Sequence, residues 1–481
     1  MTYCYYRPRF LNKALLLALA ICGVGAGLCA DAKTIDKPHV LFIMLDDMGY
    51  GDAGCYNPES KIPTPHIDRL AGQGMRFTDA HAAASVCVPS RYGFLTGLYP
   101  PRQVSCGIPS GTETIASFLK RHSYKTAMVG KWHNGFDNDN GWAGKVEGGP
   151  YGCGFDYFFG IPHSLDIQPY LYIENDQVVQ SPTGTTVSGW EATSGMYDHS
   201  GLTKIQGAFW RAGNIAPGFK HAEVLGTFTS KAVSVIREHG KTNPNDPLFL
   251  YLAYAGPHTP WLPSDSFKGK SGAGLYGDFL MEIDHEIGKV IRSLEETGLK
   301  ENTLIMLSSD NGPVWYPGNT EEYRHRSAGA LRGMKGDAFE GGHRMPFIAS
   351  WPGEIPEGSV CPETICLTDV MRTLAAVIGE ELPEGEGKDS VNILPLLLGE
   401  KKGPVRDITI HRSKFLAIRK GDYKYLDGKG SGGFTKVKVS REDPSGQLYN
   451  LKDDPAETTD LYNRCPEVVK EMKAELEPFE K

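Results

Sequence analysis

Asp46-Asp47 closes the apolar run 40–45, and Asp310-Asn311 follows the apolar run 303–307. Either pair alone reads as a solvated turn, because Asp, Asn and Gly favour turns. Together they supply three carboxylates and one amide oxygen, hard donors that suit Ca²⁺, or Mg²⁺, better than zinc. Two more polar clusters end apolar runs in the same way. Lys131-Trp132-His133 follows 126–129, and Pro257-His258-Thr259-Pro260 follows 248–254. A single histidine is more often structural than catalytic, and a single lysine is usually solvated; here both types recur in one context. Cys87 opens Cys-Val-Pro-Ser-Arg, with Leu95-Thr96-Gly97 a little further on. A lone cysteine in an exported chain is ordinarily half of a disulfide.

The elements that must position these residues alternate. Continuous apolar runs such as 40–45 read as strands buried on both faces of a parallel sheet. Thr64-Pro65 opens a helix through Ile67, Leu70 and Ala71, with proline in the first turn. A second helix covers about 113–121. Ile283, Ile287, Ile291 and Leu294 keep helical spacing in a third, which stops at Gly298. The order strand, helix, strand, helix predicts an α/β domain with helices on both faces of the sheet. In such sheets ligands bind beyond the carboxyl ends of the strands, where the four clusters fall.

Length and composition set the limits. The chain has 481 residues, a net charge of −8, 40% hydrophobic and 22% charged residues, so two cores, or one with an appendage, are expected. The acidic balance and the absence of a basic, aromatic-interleaved run argue against a nucleic-acid partner. Residues 1–32 read as an export signal, with Arg7, Arg9 and Lys13 before an apolar stretch that ends at small residues. No other segment approaches a membrane span, which makes the mature chain an exported, periplasmic or secreted protein without a stable span.

Cys-x-Pro-Ser-Arg followed by Leu-Thr-Gly resembles the signature of the formylglycine-dependent (type I) sulfatases. In that family the cysteine is oxidised to an aldehyde (3-oxoalanine), whose hydrate attacks sulfur with one hydroxyl and expels sulfate with the other. The resemblance runs from about Lys37 to the C-terminus. It implies an alkaline-phosphatase-like α/β fold, with a large, mostly parallel sheet and a small antiparallel C-terminal subdomain. It implies Asp46, Asp47, Asp310 and Asn311 as metal ligands, completed by the converted Cys87. It also implies Arg91, Lys131 and Lys335 as holders of the sulfate oxygens, His258 as the acid for the leaving alcohol, and His133 as an aid to sulfate elimination. The block from Lys335 to Gly353 resembles the family's second signature. One departure is Asn134, where relatives usually carry an apolar residue; it is expected at the pocket rim. A formylglycine-generating maturation enzyme is an implied partner.

If residues 1–32 leave and Cys87 is converted, Cys55, Cys106, Cys153, Cys361, Cys366 and Cys465 remain, enough for three disulfides. Residues 33–380 read as the catalytic domain, 381–403 as a linker, and 404–481 as the subdomain, with short strands near 407–411, 415–419 and 422–426 and a final helix at 466–476. Residues 160–166 and 170–175 form a long connection, either plain surface or a sugar-recognising rim in which Asp166 accepts ring hydroxyls. That segment most resembles bacterial sulfatases of the arylsulfatase A and galactosamine-6-sulfatase type, which points to 6-sulfated galactose or N-acetylgalactosamine. Two rivals stand beside a sulfated-glycan hydrolase: a phosphonate or phosphodiester hydrolase of the same superfamily, and a noncatalytic glycan-binding relative.

Overall fold

The structure, a computed structural model, describes residues 37–101, 107–109, 111–138 and 140–480. Residues 1–32, expected to be an export signal, and Cys106 lie outside the described residues. Strand β1 (His39–Asp46) is buried along its whole length, as its unbroken apolar run requires. Helix α1 (Pro65–Gly72) follows with proline at its start, then β2 (Met75–His81), α2 (Cys87–Thr96), α3 (Ile115–Arg121), β3 (Lys125–Lys131) and β4 (Tyr157–Ile161). Next come α4 (Val224–Thr242), β5 (Leu248–Pro257), α5 (Gly274–Glu296), β6 (Thr303–Ser309) and β7 (Arg344–Ser350).

These strands make the order β2-β7-β6-β1-β5-β3-β4, extended by very short strands into an 11-stranded sheet among the described residues. From β6 to β4 the neighbours are parallel, whereas β7 runs antiparallel to both β6 and β2. The sheet is therefore mixed and mostly parallel. Strand β2 was not legible as an apolar run because its sequence, Met-Arg-Phe-Thr-Asp-Ala-His, begins with alternating burial near the sheet edge. Helix α5 packs against both α1 and α4, and α2 packs against α3. Phe42 of β1 meets Phe94 of α2 at 4.3 Å between ring centres. Gly160 and Ile161, expected in the long connection, instead complete β4.

A second, antiparallel sheet contains β8 (Ile408–Arg412), β9 (Leu416–Lys420), β10 (Tyr423–Leu426) and β11 (Gln447–Asn450). Helix α6 (Pro466–Leu476) sets Val469, Met472 and Leu476 against Ile410, Ile418 and Tyr425 of that sheet. Residues 381–403 join the two sheets and bury Leu382, Ile393, Leu396 and Leu397 in the main core.

Among the described residues Cys55, Cys153, Cys361 and Cys366 carry free thiols, so the six cysteines do not make three disulfides. Cys361 and Cys366 pair in register with Phe77 and His81 along β2. Four residues along a strand span about 13 Å, well beyond the reach of an S–S bond. Among the described residues no helix is long and apolar enough to cross a membrane.

Candidate active site

Strands β6, β1, β5 and β3 lie side by side, so their carboxyl ends bring Asp310-Asn311, Asp46-Asp47, His258 and Lys131-Trp132-His133 to one edge of the sheet. Gly130 makes this close alignment feasible. Its φ is +126°, and a Cβ there would lie 1.9 Å from the Ala253 carbonyl oxygen of β5. Helix α2 begins at Cys87. The Ser90 hydroxyl donates back to the carbonyls of Ala84 (2.8 Å) and Val86 (2.9 Å), fixing the chain's entry into the helix. Arg91 lies four residues after Cys87 and therefore on the same helix face.

Three carboxylates and three cations meet there, all buried. Arg91 Nε donates to Asp310 Oδ2 at 2.8 Å, and its Nη1 donates to the Lys131 carbonyl at 3.2 Å. Lys131 Nζ is 2.6 Å from Asp46 Oδ2 and also reaches Ser164 Oγ at 3.3 Å. Lys335 Nζ is 2.7 Å from Asp47 Oδ1 and 3.3 Å from Cys87 Sγ, while the Cys87 thiol approaches Asp46 Oδ1 at 3.4 Å. Asp47 sits in the left-handed region at φ 68°, and its amide donates to Asp310 Oδ1 at 3.3 Å.

Charge and burial oppose each other here. Burial pushes Asp46 up, but the charges of Lys131, His258, Arg91 and Lys335 outweigh it and hold the carboxyl well below its usual range. Burial and the neighbouring Asp46 lift Asp310 to about 6. Burial also raises the Cys87 thiol despite the two lysines, so an unmodified Cys87 is not a thiolate at neutral pH. Burial and Lys131 push His133 well below the usual histidine range, and its buried Nδ1 has no partner.

Asp46, Asp47, Cys87 and His258 each present a donor atom within 4.8 Å of the others. Asn311 Nδ2 donates to Asp47 Oδ1 at 2.6 Å and to the Gly312 carbonyl at 2.9 Å, which leaves its buried Oδ1 without a partner. An orphaned amide oxygen beside clustered carboxylates fits a hard divalent cation.

A cavity of about 120 Å³ opens over Asp47, His258 and Lys335, with Asp166, Arg211 and Phe434 in its walls. His258 Nδ1 donates to the Thr259 carbonyl at 2.7 Å, since a carbonyl can only accept, and its Nε2 stands 3.7 Å from Asp47 Oδ2. Asp166 Oδ2 pairs with Arg211, while its buried Oδ1, 4.0 Å from His258 Nδ1, has no hydrogen-bond partner. The sequence-selected residues thus converge, with one displacement. Asn134 is 2% exposed and donates to the Val88 carbonyl of α2 at 3.1 Å. It braces the Cys87 helix from behind rather than forming the rim. Sequence reasoning passed over Ser164, Arg211 and Phe434. Only Ser164 carried a signal, as a polar residue inside the segment that held Asp166.

Comparison with known proteins agrees with this geometry. Residues 38–380 match the sulfatase family model. The chain is 34% identical to an N-acetylgalactosamine-6-O-sulfatase of Bacteroides thetaiotaomicron, covering 93% of this chain and 94% of that protein. It is 32% identical to human arylsulfatase A over 96% of this chain and 89% of the relative. A solved Bacteroides thetaiotaomicron structure, from work on the metabolism of multiple glycosaminoglycans, matches with a TM-score of 0.80 and 32% identity, covering 92% of this chain and 99% of the other.

Proposed function

The chain belongs to the sulfatase family and is a sulfatase, an enzyme that hydrolyses sulfate esters, and from that premise we propose that it desulfates a carbohydrate, with 6-sulfated galactose or N-acetylgalactosamine at a glycan end as the target. The observation that carries this reading is the surround of Cys87. Its sulfur lies 3.3 Å from Lys335 Nζ and 3.4 Å from Asp46 Oδ1, next to a cavity that also holds His258. The similarity to an N-acetylgalactosamine-6-O-sulfatase along nearly the whole chain supports the choice of sugar. The basic, apolar character of residues 1–32 supports export.

Formylglycine made from Cys87 by a maturation enzyme would supply, as the aldehyde hydrate, one hydroxyl to attack sulfur and a second whose deprotonation expels sulfate. Asp46, Asp47, Asp310 and Asn311, beside residue 87, would hold Ca²⁺ or Mg²⁺, which when bound draws charge from the sulfate oxygens. The chain's own residues do the rest. Arg91, held by Asp310, and the ammonium groups of Lys131 and Lys335 neutralise the sulfate oxygens, preorganised in a site that excludes water. His258, fixed through Nδ1 on the Thr259 carbonyl, presents Nε2 to the leaving oxygen and gives it a proton as the sulfur–oxygen bond breaks. His133, kept neutral by burial, offers the lone pair of a ring nitrogen to take up the proton lost in sulfate release. Asp166 Oδ1 accepts a ring hydroxyl.

Mass analysis of the peptide containing Cys87 tests the nucleophile, and an unmodified thiol in active enzyme would refute it. His258→Ala tests the acid. General acid catalysis is worth about 10² to 10⁴ in rate, and a sugar alkoxide needs the proton far more than a nitrophenolate does. Single-turnover release of the sugar should fall by that factor while an aryl sulfate is largely spared. Equal losses on both would assign the proton to another residue. Faster turnover of a phosphate diester than of an aryl sulfate would overturn the sulfate-ester reading itself.

A further inference from the structure

The cavity over Lys335 is lined by both polar and apolar groups. Asp166 and Arg211 are the polar pair, with Asp166 Oδ1 buried and unpartnered and the Arg211 guanidinium over the Phe209 ring at 5.4 Å. Facing the same space are Val314, Phe209 and Phe434. Phe434 is 40% exposed, and it comes from the second sheet rather than from the main domain, in the connection between β10 and β11.

An exposed aromatic on a glycine-rich segment, Gly430-Ser431-Gly432-Gly433-Phe434-Thr435, would ordinarily be loose. This one is tied down on both sides. The Ala338 amide donates to the Ser431 carbonyl at 2.7 Å, and the Thr435 amide donates to Asp337 Oδ1 at 3.0 Å. The other oxygen of the Asp337 carboxylate accepts the Met334 amide at 2.9 Å. Asp337 therefore fixes both the turn that carries Lys335 and the segment that carries Phe434. The contact is too close for a side chain at Gly433 and tight at Gly336. A Cβ on Gly433 would lie 2.1 Å from the Gly336 carbonyl carbon, and a Cβ on Gly336 would lie 3.2 Å from the Phe434 ring. The ring is thus held against the peptide next to Lys335.

Resting on the carbohydrate reading above, we propose that Phe434 is a specificity-determining residue: its ring stacks on the apolar face of the sulfated sugar while Asp166 and Arg211 take the hydroxyl edge. A hexose is amphipathic in just this way. In the galacto configuration the axial 4-hydroxyl leaves the C–H groups at positions 3, 4 and 5 together on one face. In the gluco configuration they alternate between faces. An aromatic wall rewards the first arrangement more than the second.

The test compares 6-sulfated N-acetylgalactosamine with its 4-epimer, 6-sulfated N-acetylglucosamine, on the mature enzyme. Aromatic contacts of this kind correspond to about 2- to 10-fold in affinity. Phe434→Ala and Phe434→Leu should raise KM for the galacto sugar by that factor, move KM for the gluco sugar less, and leave kcat within about twofold. Phe434→Trp should restore the preference, because it restores a flat ring. Leu retains apolar bulk, so it covers the case in which Ala loosens the segment, and thermal unfolding of each variant checks the fold. Equal KM shifts for the two epimers, or no shift, overturn the proposal. A wild-type enzyme that hydrolyses an aryl sulfate but neither sugar overturns the carbohydrate reading, and the proposal with it.

Discussion

At the ends of β6, β1 and β3, Asp46, Asp47 and Asp310 face Arg91, Lys131 and Lys335. Where the two sheets meet, Asp79, Glu340 and Glu457 face Lys424, Arg344 and Arg419. Both clusters hold three carboxylates and three cations, and both are largely or wholly buried. They differ in what a ligand can reach. In the second, Lys424 Nζ lies 2.9 Å from Glu340 Oε1, 2.9 Å from Glu457 Oε1 and 3.0 Å from His343 Nε2. An ammonium can only donate, so His343 accepts at Nε2 and donates from Nδ1 to His81 Nδ1 at 3.1 Å. His81 in turn donates from Nε2 to Asp79 Oδ1 at 2.9 Å. That chain runs unbroken from Lys424 to Asp79, although Glu457 Oε1 has only its ion pair with Lys424 and His411 Nε2 has no hydrogen-bond partner. The first cluster, by contrast, borders a cavity and keeps Asn311 Oδ1 and Asp166 Oδ1 unpartnered. Three imidazoles of the second cluster also have ligand atoms within 4.8 Å. Yet His343 and His411 stack at 3.9 Å and 13°, so their lone pairs run parallel instead of converging on an ion. Equal inventories of charge serve as a reaction site or as an interdomain joint according to whether a ligand can reach the atoms left unpaired.

The sharpest break between the two regions is a pair of substitutions. Cys87→Ala should abolish turnover and leave the thermal midpoint almost unchanged, because the thiol makes only two long polar contacts. A Cys87→Ala enzyme with wild-type rate would end the assignment of the first cluster. Lys424→Met should do the reverse. It leaves two carboxylates and His343 buried without their cation, a change that costs about 3–5 kcal/mol. Denaturant unfolding reads that loss. A Lys424→Met protein as stable as wild type would mean that the joint contributes specificity alone.

The first cluster was largely legible in the sequence, and the second was not. Asp46-Asp47 and Asp310-Asn311 are marked by the apolar runs before them, since a strand buried on both faces has a continuous signature and its carboxyl end is where ligands bind. Cys87 and Arg91 are four residues apart on one helix. Asp79 and His81 lie on a strand with no such run, His343 on the one-turn helix Glu340–His343, Lys424 on a short strand with a weak pattern, and Glu457 in a connection beyond the last strand. Arg211 and Phe434 reach the cavity from connections whose course depends on tertiary contacts. The disulfide expectation failed for a related reason. An even cysteine count says nothing about register, and register sets Cys361 and Cys366 apart along the same strand.

Removing the divalent ion sharpens the contrast at a smaller scale. An ion that binds only the folded protein stabilises it by about 2.7 kcal/mol at a hundredfold excess over Kd. Exhaustive chelation should therefore lower the thermal midpoint and remove activity, and Ca²⁺ should restore both. If the midpoint holds while activity falls, the ion does not reside in the folded enzyme at rest.

Mild acid should act on the joint through its histidines, and this is the smallest effect expected. Burial holds His81, His343 and His411 below their ordinary value of 6.5. His343 and His411, well below it, stay neutral in the fold while their unfolded counterparts take a proton. The unfolded state binds more protons below pH 6.5, so stability falls as pH falls. Between pH 7.5 and 5.5 one such histidine costs about 1.4 kcal/mol. Glu457 opposes this, because burial and Glu340 lift it to about 7. Its folded form then gains a proton over the same range, which returns about 2 kcal/mol of the roughly 3 lost by His343 and His411. Buried groups elsewhere titrate too, so the informative quantity is a difference. His411 touches the cluster through its ring, stacked on His343, and through Nδ1, which donates to the Ala82 carbonyl at 3.0 Å. His411→Phe keeps a ring for the stack and removes one titrating group. Whatever its stability at pH 7.5, this variant should lose about 1.4 kcal/mol less than wild type on acidification to pH 5.5. Denaturant unfolding at both pH values measures that difference, and parallel losses in the two proteins would show that His411 titrates in the native joint as it does in the unfolded chain.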